Sequence, residues 1–250
     1  FNLLIYDTEE QKVLSSTKIS VKLGEGGINN NFIQKAPFLR GLQALTDHQE
    51  TARQFKADTL YAFATSAIRS ATNGSDFVKD AANQGVIINV IDGETEASLI
   101  FKGVMRAIQA PSAPYLIMDI GGGSTEFILA EGKEVIWKKS YLLGCSRLIE
   151  KFTPGDPVNQ EEIYQLEDYF DEMLQDLVEI CKPYHPRILI GSSGSFDTLA
   201  QMCILRFQSS GLTETDTTYM FDLYEYMQIA QHMIRSDFEE RLNTPGMIPM

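Results

Sequence analysis

The segment at residues 115–129, YLIMDIGGGSTEFIL, constrains the fold most, because it predicts a strand, a glycine-rich turn and a second strand. Each apolar run carries one acid beside the turn, Asp119 before it and Glu126 after it. Three consecutive glycines allow positive φ and let a ligand approach the main chain closely. Successive N–H groups in such a turn form a concave anion site. The predicted phosphate-binding turn consists of Gly121, Gly122, Gly123, Ser124 and Thr125.

The two acids that flank this turn predict a metal ion. Carboxylates beside a phosphate would repel it unless a cation lies between them, and Mg²⁺ is held by one or two carboxylates together with substrate phosphate. Asp119 and Glu126 are therefore the candidate Mg²⁺ ligands. A dinucleotide or Walker loop does not fit, because both need a helix directly after the glycines. An ordinary hairpin with a flexible turn is the alternative interpretation.

The overall charge and the cysteines restrict the setting of the chain. Its 250 residues, enough for one large domain or two small ones, carry 21 Lys and Arg against 34 Asp and Glu. The net charge of −13 argues against a nucleic-acid partner. No apolar run approaches the roughly 18 residues that span a membrane, so no membrane partner is expected. An odd number of widely spaced cysteines indicates a reducing, cytoplasmic compartment; they are Cys145, Cys181 and Cys203.

The order of predicted elements is similar before and after a proline-containing connection, QAPSAP, at residues 109–114. Before it we expect strands at 3–6, 12–23, 59–64 and 86–91 and helices at 36–55, 75–84 and 93–108. After it we expect strands at 115–120, 125–130, 134–141 and 187–190 and helices at 146–152, 159–182 and 196–207. We therefore predict an α/β fold with one subdomain at 1–111, a second at 112–235 and the start of a closing segment at 236–250.

Glu96 lies in the first turn of the predicted helix at 93–108, directly after a strand. Positions 96, 100, 103 and 107 share a helix face, and the last three are Ile100, Gly103 and Ala107. An acid therefore heads an inward-facing stripe, which is the position of a candidate catalytic group. The alternative is a glutamate that only stabilises the helix dipole, a role that Glu94 fits better.

Several short motifs occur together in one order along the chain. They are ATSAIR at 64–69, VIDGETEA at 90–97, DIGGGSTE at 119–126, LG at 143–144 and GSSG at 191–194. In this order they resemble the exopolyphosphatase and guanosine pentaphosphate phosphatase family of the actin-like ATPase superfamily, over roughly residues 20–200. The resemblance implies two actin-like (ribonuclease H-like) subdomains, each a mixed sheet flanked by helices, with the cleft between them.

The resemblance also implies a role for each site residue. Glu96 matches the general base that takes a proton from the attacking water. Asp119 and Glu126 match acids around that water and Mg²⁺, and the turn at 121–125 matches the phosphate turn. Arg69 matches an arginine that holds a phosphate. The loop that closes around a nucleotide in the wider superfamily is matched by Gly191, Ser192, Ser193 and Gly194, and weaker candidates for phosphate contacts are Lys22 and Arg147.

The reaction implied by the resemblance is hydrolysis of a terminal phosphoanhydride bond, with inorganic polyphosphate or guanosine pentaphosphate as the substrate. Two alternatives stay open: an ATP-dependent kinase of the same superfamily, and a sensor that binds guanosine tetra- or pentaphosphate without catalysis. A homodimer would extend a channel for long polyphosphate, although no residue in the sequence points to one.

The two ends of the chain depart from the family pattern. The family's first phosphate loop, of the type Asp-x-Gly-Ser/Thr-Asn, is expected immediately before Phe1, and the family continues beyond Met250 with a closing segment. We therefore expect residues 1–250 alone to have weak activity or none until these ends are restored.

Overall fold

The structure, a computed structural model, describes residues 1–207 and 217–247. The chain divides into two compact units, Phe1–Gly93 and Glu94–Met250, called the first and the second unit below. The strands of the first unit are β1 (Asn2–Asp7), β2 (Lys12–Lys18), β3 (Ala62–Ala64) and β4 (Ile88–Val90). Its helices are α1 (Lys35–Gln54), α2 (Ser66–Ser70) and α3 (Gly74–Asn83).

Phe77 on α3 is the centre of the first unit's core and is fully buried. The ring of Phe38 on α1 meets it edge-on, with the ring centroids 5.1 Å apart. A Cβ at Gly41 would lie 2.8 Å from the Phe77 ring, so a glycine at this position lets α1 pack closely over the phenyl group. β1 and β2 are antiparallel, whereas β3 and β4 are parallel; they form two separate pairs and not one mixed sheet.

The second unit begins with α4 (Gly93–Ala107), whose first residue closes the first unit. Its strands are β5 (Tyr115–Ile120), β6 (Thr125–Glu131), β7 (Glu134–Tyr141) and β8 (Ile188–Ser192). Its further helices are α5 (Cys145–Phe152), α6 (Gln160–Met173), α7 (Gln175–Cys181), α8 (Gly194–Phe207), α9 (Leu223–Arg235) and α10 (Phe238–Leu242). The sheet order is β7-β6-β5-β8, with β6 antiparallel to both β5 and β7, and β8 parallel to β5.

Helices cover both faces of this mixed sheet. On one face, α4 contributes Ala97, Ile100, Phe101 and Val104 to a cluster with the sheet residues Tyr115, Ile117, Ile128 and Ala130. On the other face, side chains of α5, α6 and α7 pack around Phe127 and Tyr141. Buried apolar area of this kind supplies most of the stabilisation, at about 25 cal/mol per Å². The predicted α/β fold class is confirmed.

Several elements differ from the sequence-based expectation: β3 and β4 are shorter than expected, and α2, α9 and α10 were not predicted. Three further differences concern boundaries. β2 ends at Lys18 and not at residue 23; Val21 and Leu23 keep the alternating pattern because both are buried core residues of the following turns. The helix expected at 159–182 is interrupted at Leu174, between α6 and α7. The two compact units divide at residues 93 and 94 instead of 111 and 112, because α4 packs on β5 and β6.

The segment after α9 belongs to the second unit as far as the structure describes it. Asp156 accepts hydrogen bonds from the backbone N–H of Phe238 and from Arg241, which fastens α10 to the loop before α6. Residues 248–250 of the expected closing segment, and 208–216 of the expected second subdomain, lie outside the described residues. Among the helices that are described, none combines the length and apolar character needed to cross a lipid bilayer.

Candidate active site

Four polar residues face one another across the sheet of the second unit. Asp119 on β5 lies opposite Glu126 on β6, and Glu126 lies opposite Ser140 on β7. On the other side, Asp119 pairs in register with Ser192 on β8. Directly paired residues share one face of a sheet. The backbone pairing therefore sets both acids and both serines in a single row, called the polar row below.

Hydroxyl groups bind both carboxylates of the polar row. Ser140 Oγ donates to Glu126 Oε1 at 2.6 Å. Ser124, at the end of the glycine turn, also hydrogen-bonds the Glu126 side chain. The side-chain hydroxyls of Ser192 and Ser193 lie within hydrogen-bonding reach of Asp119. Each acid is thus fixed by a serine from the adjacent outer strand.

Glu96 belongs to the same site because α4 packs on the face that carries the polar row. Ala97, the next residue, is fully buried in the cluster over Ile117 and Ile128. Each of these two residues lies two positions from an acid of the polar row, on the same side of the sheet. Glu96 is close enough for its charge to act on Glu126. The structure therefore brings together the three acids that the sequence predicted.

The environment of the two strand acids disfavours their charged forms. Burial raises the pKa of Glu126, and the charges of Glu96 and Asp119 raise it further, while hydrogen bonds from Ser140 and Ser124 work in the opposite direction. Burial likewise raises the pKa of Asp119, and hydrogen bonds from Ser192 and Ser193 offset part of that rise. A cation beside these carboxylates would relieve their repulsion.

The donors present fit Mg²⁺. It takes oxygen ligands, often one or two carboxylates with the remaining positions filled by water and phosphate, and Asp119 and Glu126 offer two paired carboxylates next to the phosphate turn. Across residues 1–207 and 217–247, no cluster of three or more His, Cys, Asp or Glu side chains is arranged as a metal cage. Binding by these two acids stays a prediction.

Backbone contacts with α5 fix the glycine turn. The carbonyl of Gly121 accepts from the N–H of Cys145 at 3.0 Å, and that of Gly122 accepts from the N–H of Ser146 at 2.9 Å. The carbonyl of Gly123 accepts from Arg147 Nε at 2.8 Å. With the carbonyls occupied, the turn offers donors: the N–H groups of Gly122, Gly123 and Ser124 have no acceptor among the described residues.

Close packing explains the glycines of this turn better than positive φ does. Neither Gly121 nor Gly122 has a left-handed backbone, so the positive φ that glycine allows is not used at either position. A Cβ at Gly121 would lie 3.0 Å from the carbonyl oxygen of Ser124. A Cβ at Gly144, before α5, would lie 2.4 Å from backbone atoms of Gly122 and Gly123. Position 144 therefore needs glycine for space, whereas a Cβ at position 121 would be tight and would require a small shift.

The predicted loop at Gly191–Gly194 lies beside Asp119. Ser193 has a left-handed φ of +77°, which is uncommon for a residue with a side chain. Its hydroxyl donates to the carbonyl of Ile120 at 2.9 Å and ties the loop to the end of β5. A Cβ at Gly191 would overlap the ring of Phe196, which packs against the backbone there. The loop is thus joined to the carboxylate site through side-chain hydroxyls.

The predicted basic residues are distributed over both units. Arg147 is 5% exposed and contacts the turn through Gly123, which identifies a positioning contact for the turn. Arg69 lies in the first unit, where Nη1 donates to the carbonyl of Ile91 at 2.9 Å. Lys22 is an exposed residue of the first unit with a φ of +49°.

Ser140 is the site residue that the sequence analysis missed. It stands in a strand between Lys139 and Tyr141, and no glycine or acid beside it marks it as functional. The available signal was the alternation of β7, which places residue 140 on the same face as residue 138. Its partner on β6 depends on the register, which sequence alone did not supply.

A cavity of about 400 Å³ in the second unit lies away from the carboxylates. Its wall contains a histidine and an arginine but no residue of the polar row or the glycine turn; it is formed by Met202, Arg206, Ile229, His232, Glu240, Asn243, Thr244 and Pro245. The chemistry of the side chains, and not the size of this cavity, locates the candidate active site.

Replacing Glu126 by glutamine is expected to stabilise the protein at pH 7 in the absence of divalent metal. The folded state holds the proton of Glu126 more tightly than the unfolded state, because the pKa is raised on folding. Wild-type stability therefore falls as the pH rises through the interval between the two pKa values, and the neutral amide removes that loss. Each kcal/mol gained corresponds to roughly 2–4 °C in Tm for 150–250 residues.

Thermal unfolding in EDTA between pH 5 and pH 7.5 measures this effect. The Tm advantage of Glu126→Gln should grow with pH. Glu131→Gln, at an exposed position of the same strand, is the control and should change stability by no more than about 0.5 kcal/mol. A Tm of Glu126→Gln below that of the wild type at pH 7.5 would contradict the prediction.

Comparison with known proteins identifies relatives over most of the chain. A family model described as "Ppx/GppA phosphatase family" matches residues 4–247. A putative exopolyphosphatase of Haemophilus influenzae is 29% identical over 201 residues, which are 80% of this chain and 62% of that protein. Exopolyphosphatase 2 of Mycobacterium tuberculosis is 31% identical over 188 residues, 73% of this chain and 59% of that protein. The chain thus spans about three fifths of these relatives.

Solved structures give the same picture of the fold. An exopolyphosphatase from Cytophaga hutchinsonii superimposes with a TM-score of 0.93 and 34% identity, over 99% of this chain and 80% of that one. A Ppx/GppA family member from Aquifex aeolicus superimposes with a TM-score of 0.70 over 96% of this chain and 76% of that one. At 22% identity the second comparison concerns the fold alone.

Proposed function

The chain belongs to the Ppx/GppA phosphatase family, and we propose that it hydrolyses the terminal phosphoanhydride bond of inorganic polyphosphate. The observation that carries the proposal is the proximity of three acids to a turn with three successive N–H donors. Glu96 acts on Glu126 from α4, Glu126 pairs with Asp119, and the glycine turn between these two strands presents unpaired N–H groups.

Each part of this arrangement has a task in the proposed reaction. The turn N–H groups of Gly122, Gly123 and Ser124 bind the oxygens of the phosphoryl group, on which charge accumulates in the transition state. Glu96 accepts a proton from the attacking water and orients it. When Mg²⁺ is bound by Asp119 and Glu126, it neutralises charge on the phosphate oxygens. Release of the shortened chain and orthophosphate completes the turnover.

Guanosine pentaphosphate is the second proposed substrate, since its terminal bond is also a phosphoanhydride and would meet the same donors and acids. The names of the exopolyphosphatase relatives favour polyphosphate. The three acids favour hydrolysis over a sensor without catalysis. We further propose a cytoplasmic protein without a nucleic-acid partner, supported by the net charge of −13 and by three cysteines that are all unpaired thiols. We also propose a homodimer, which would extend a channel for long polyphosphate.

Orthophosphate release with Mg²⁺ tests the proposal. Polyphosphate and guanosine pentaphosphate are supplied in parallel, to residues 1–250 and to a version that also carries the expected first phosphate loop and closing segment. We expect release from polyphosphate that stops when EDTA removes the metal, and weaker release from residues 1–250. ADP formation from ATP that requires a second substrate would instead identify a kinase. Tight binding of guanosine pentaphosphate without release would identify a sensor.

A further inference from the structure

Ser140 contacts an acid of the site but has no role in the reaction proposed above. Its Oγ donates to Glu126 Oε1 at 2.6 Å, within the usual range for a hydroxyl bound to a carboxylate. Glu126 is only 1% exposed, so water cannot readily replace the hydroxyl. A carboxylate has about four acceptor sites, so the contacts from Ser140 and Ser124 leave Glu126 able to meet a metal ion or a water as well.

The backbone around Ser140 is shaped so that this contact forms. The pairing of β6 with β7 shifts by one residue between Leu129 and Ala130, and beyond the shift Ser140 stands opposite Glu126. A bulge of this kind decides which side chain faces its partner. Two residues earlier on the same face, Lys138 Nζ donates to Ser98 Oγ of α4 at 2.5 Å. β7 therefore contacts both the helix that carries Glu96 and the side chain of Glu126.

We propose that Ser140 is a positioning residue whose hydroxyl holds the carboxylate of Glu126 in one rotamer. Without the hydroxyl, the Glu126 carboxylate would sample other orientations. A metal ion or water bound by it would then be misplaced relative to Glu96 and the glycine turn. The inference rests on the proposed hydrolysis for its kinetic consequence, although the contact itself exists without substrate.

The test compares Ser140→Thr with Ser140→Val in whichever version releases more orthophosphate in the assay of the proposed function. The two variants have nearly the same shape and both suit a strand, but only threonine keeps the hydroxyl. We expect Ser140→Val, like Ser140→Ala, to lower kcat for polyphosphate by roughly 10–100-fold with KM within about twofold, as when the partner of a metal-holding carboxylate is removed. Ser140→Thr should stay within about threefold of the wild type.

Ser236→Ala is the matched control for deletion of a buried hydroxyl. Ser236 is also a buried serine of the second unit, but its Oγ donates to the carbonyl of His232 at 2.7 Å and contacts no acid of the site. Its kcat should equal that of the wild type. Tm is measured for every variant, so that loss of folding is separated from loss of positioning.

A crystal structure of Ser140→Ala gives a readout that does not depend on activity. We expect Glu126 in more than one rotamer, with its backbone unchanged. If Ser140→Val keeps wild-type kcat, if Ser140→Thr is as impaired as Ser140→Val, or if Glu126 keeps a single unchanged rotamer in Ser140→Ala, the inference is overturned. If the wild type releases no phosphate from either substrate, the proposed function fails, and the rotamer of Glu126 still decides the inference.

Discussion

Replacement of Glu96 by glutamine is expected to lower kcat for polyphosphate hydrolysis by roughly 10²–10⁴-fold, the usual contribution of a general base. Glutamine has the same shape but cannot accept a proton from water. Binding of substrate depends on the turn N–H groups and the metal, so KM should change little. Orthophosphate release at saturating polyphosphate measures the effect, and Tm tests whether the variant is folded.

Glu94→Gln is the matched control for this experiment. Glu94 also lies in the first turn of α4 but is exposed. Its loss should cost only the favourable interaction with the helix N-terminus, about 0.3–1 kcal/mol, and leave kcat unchanged. Equal rates for the wild type and Glu96→Gln would remove Glu96 as the base, whereas equal losses in both variants would assign both acids to the helix and neither to the chemistry.

Replacement of Gly144 by alanine is expected to abolish most activity, with kcat/KM lowered by at least about 10²-fold. The new Cβ would lie 2.4 Å from the carbonyl carbon and oxygen of Gly122 and from the nitrogen of Gly123. These are backbone atoms, so no side-chain rotation relieves the overlap, and either the turn or α5 must move. Loss of one well-placed N–H donor alone costs about 10²–10³-fold in comparable sites.

Gly103→Ala separates this effect from the general cost of adding a methyl group. A Cβ at Gly103, on α4, would meet nothing within 4 Å, and alanine is the better helix former by about 1 kcal/mol. Its activity should be unchanged and its Tm equal or higher. For Gly144→Ala we expect a lower Tm as well, since overpacking typically costs about 1–3 kcal/mol. Wild-type kcat/KM in Gly144→Ala would refute the packing argument.

Much of the second unit could be predicted from the sequence because its patterns are local. The apolar runs around the glycine turn predicted β5 and β6 within one residue of their observed ends. The predicted inward-facing stripe on α4 was only partly right: Ile100 packs on the sheet, but Gly103 and Ala107 are exposed. Ala97, Phe101 and Val104 complete the packed face instead. Since β5 and β6 are antiparallel across a short turn, the two flanking acids had to lie opposite each other. The glycine motif and the antiparallel pairing of β5 and β6 therefore predict the same position for the two acids.

Register beyond a bulge could not be predicted in this way. In the β6–β7 hairpin, Glu131 pairs with Glu134, and counting back from that pair would place Lys139 opposite Glu126. The shift between Leu129 and Ala130 makes Ser140 the partner instead. The bulge therefore places the hydroxyl of Ser140, and not the ammonium group of Lys139, opposite Glu126. The composition of the two strands does not predict this bulge.

The sequence pattern did not predict the end of β2 or the division between the two units, for a different reason. Alternating apolar residues at Val21 and Leu23 continue the strand pattern, yet both are buried by the turns that contain them. Likewise the prolines at 109–114 mark a loop but not a boundary, because α4 before them belongs with the sheet after them. Burial depends on partners that are distant in sequence, and local pattern does not identify them.

Because the two acids of the polar row lie on paired strands, the backbone of the sheet sets the distance between them. The distance between the two acid-bearing strands is set by the backbone ladder, about 4.7–4.9 Å from strand to strand, and not by the packing of side chains. A core substitution beneath the sheet can loosen helices without changing this interval. Strands of a central sheet are among the last parts of a protein to open. The spacing of Asp119 and Glu126 is accordingly as durable as the fold, and what can vary during evolution or engineering is the set of groups that surrounds them.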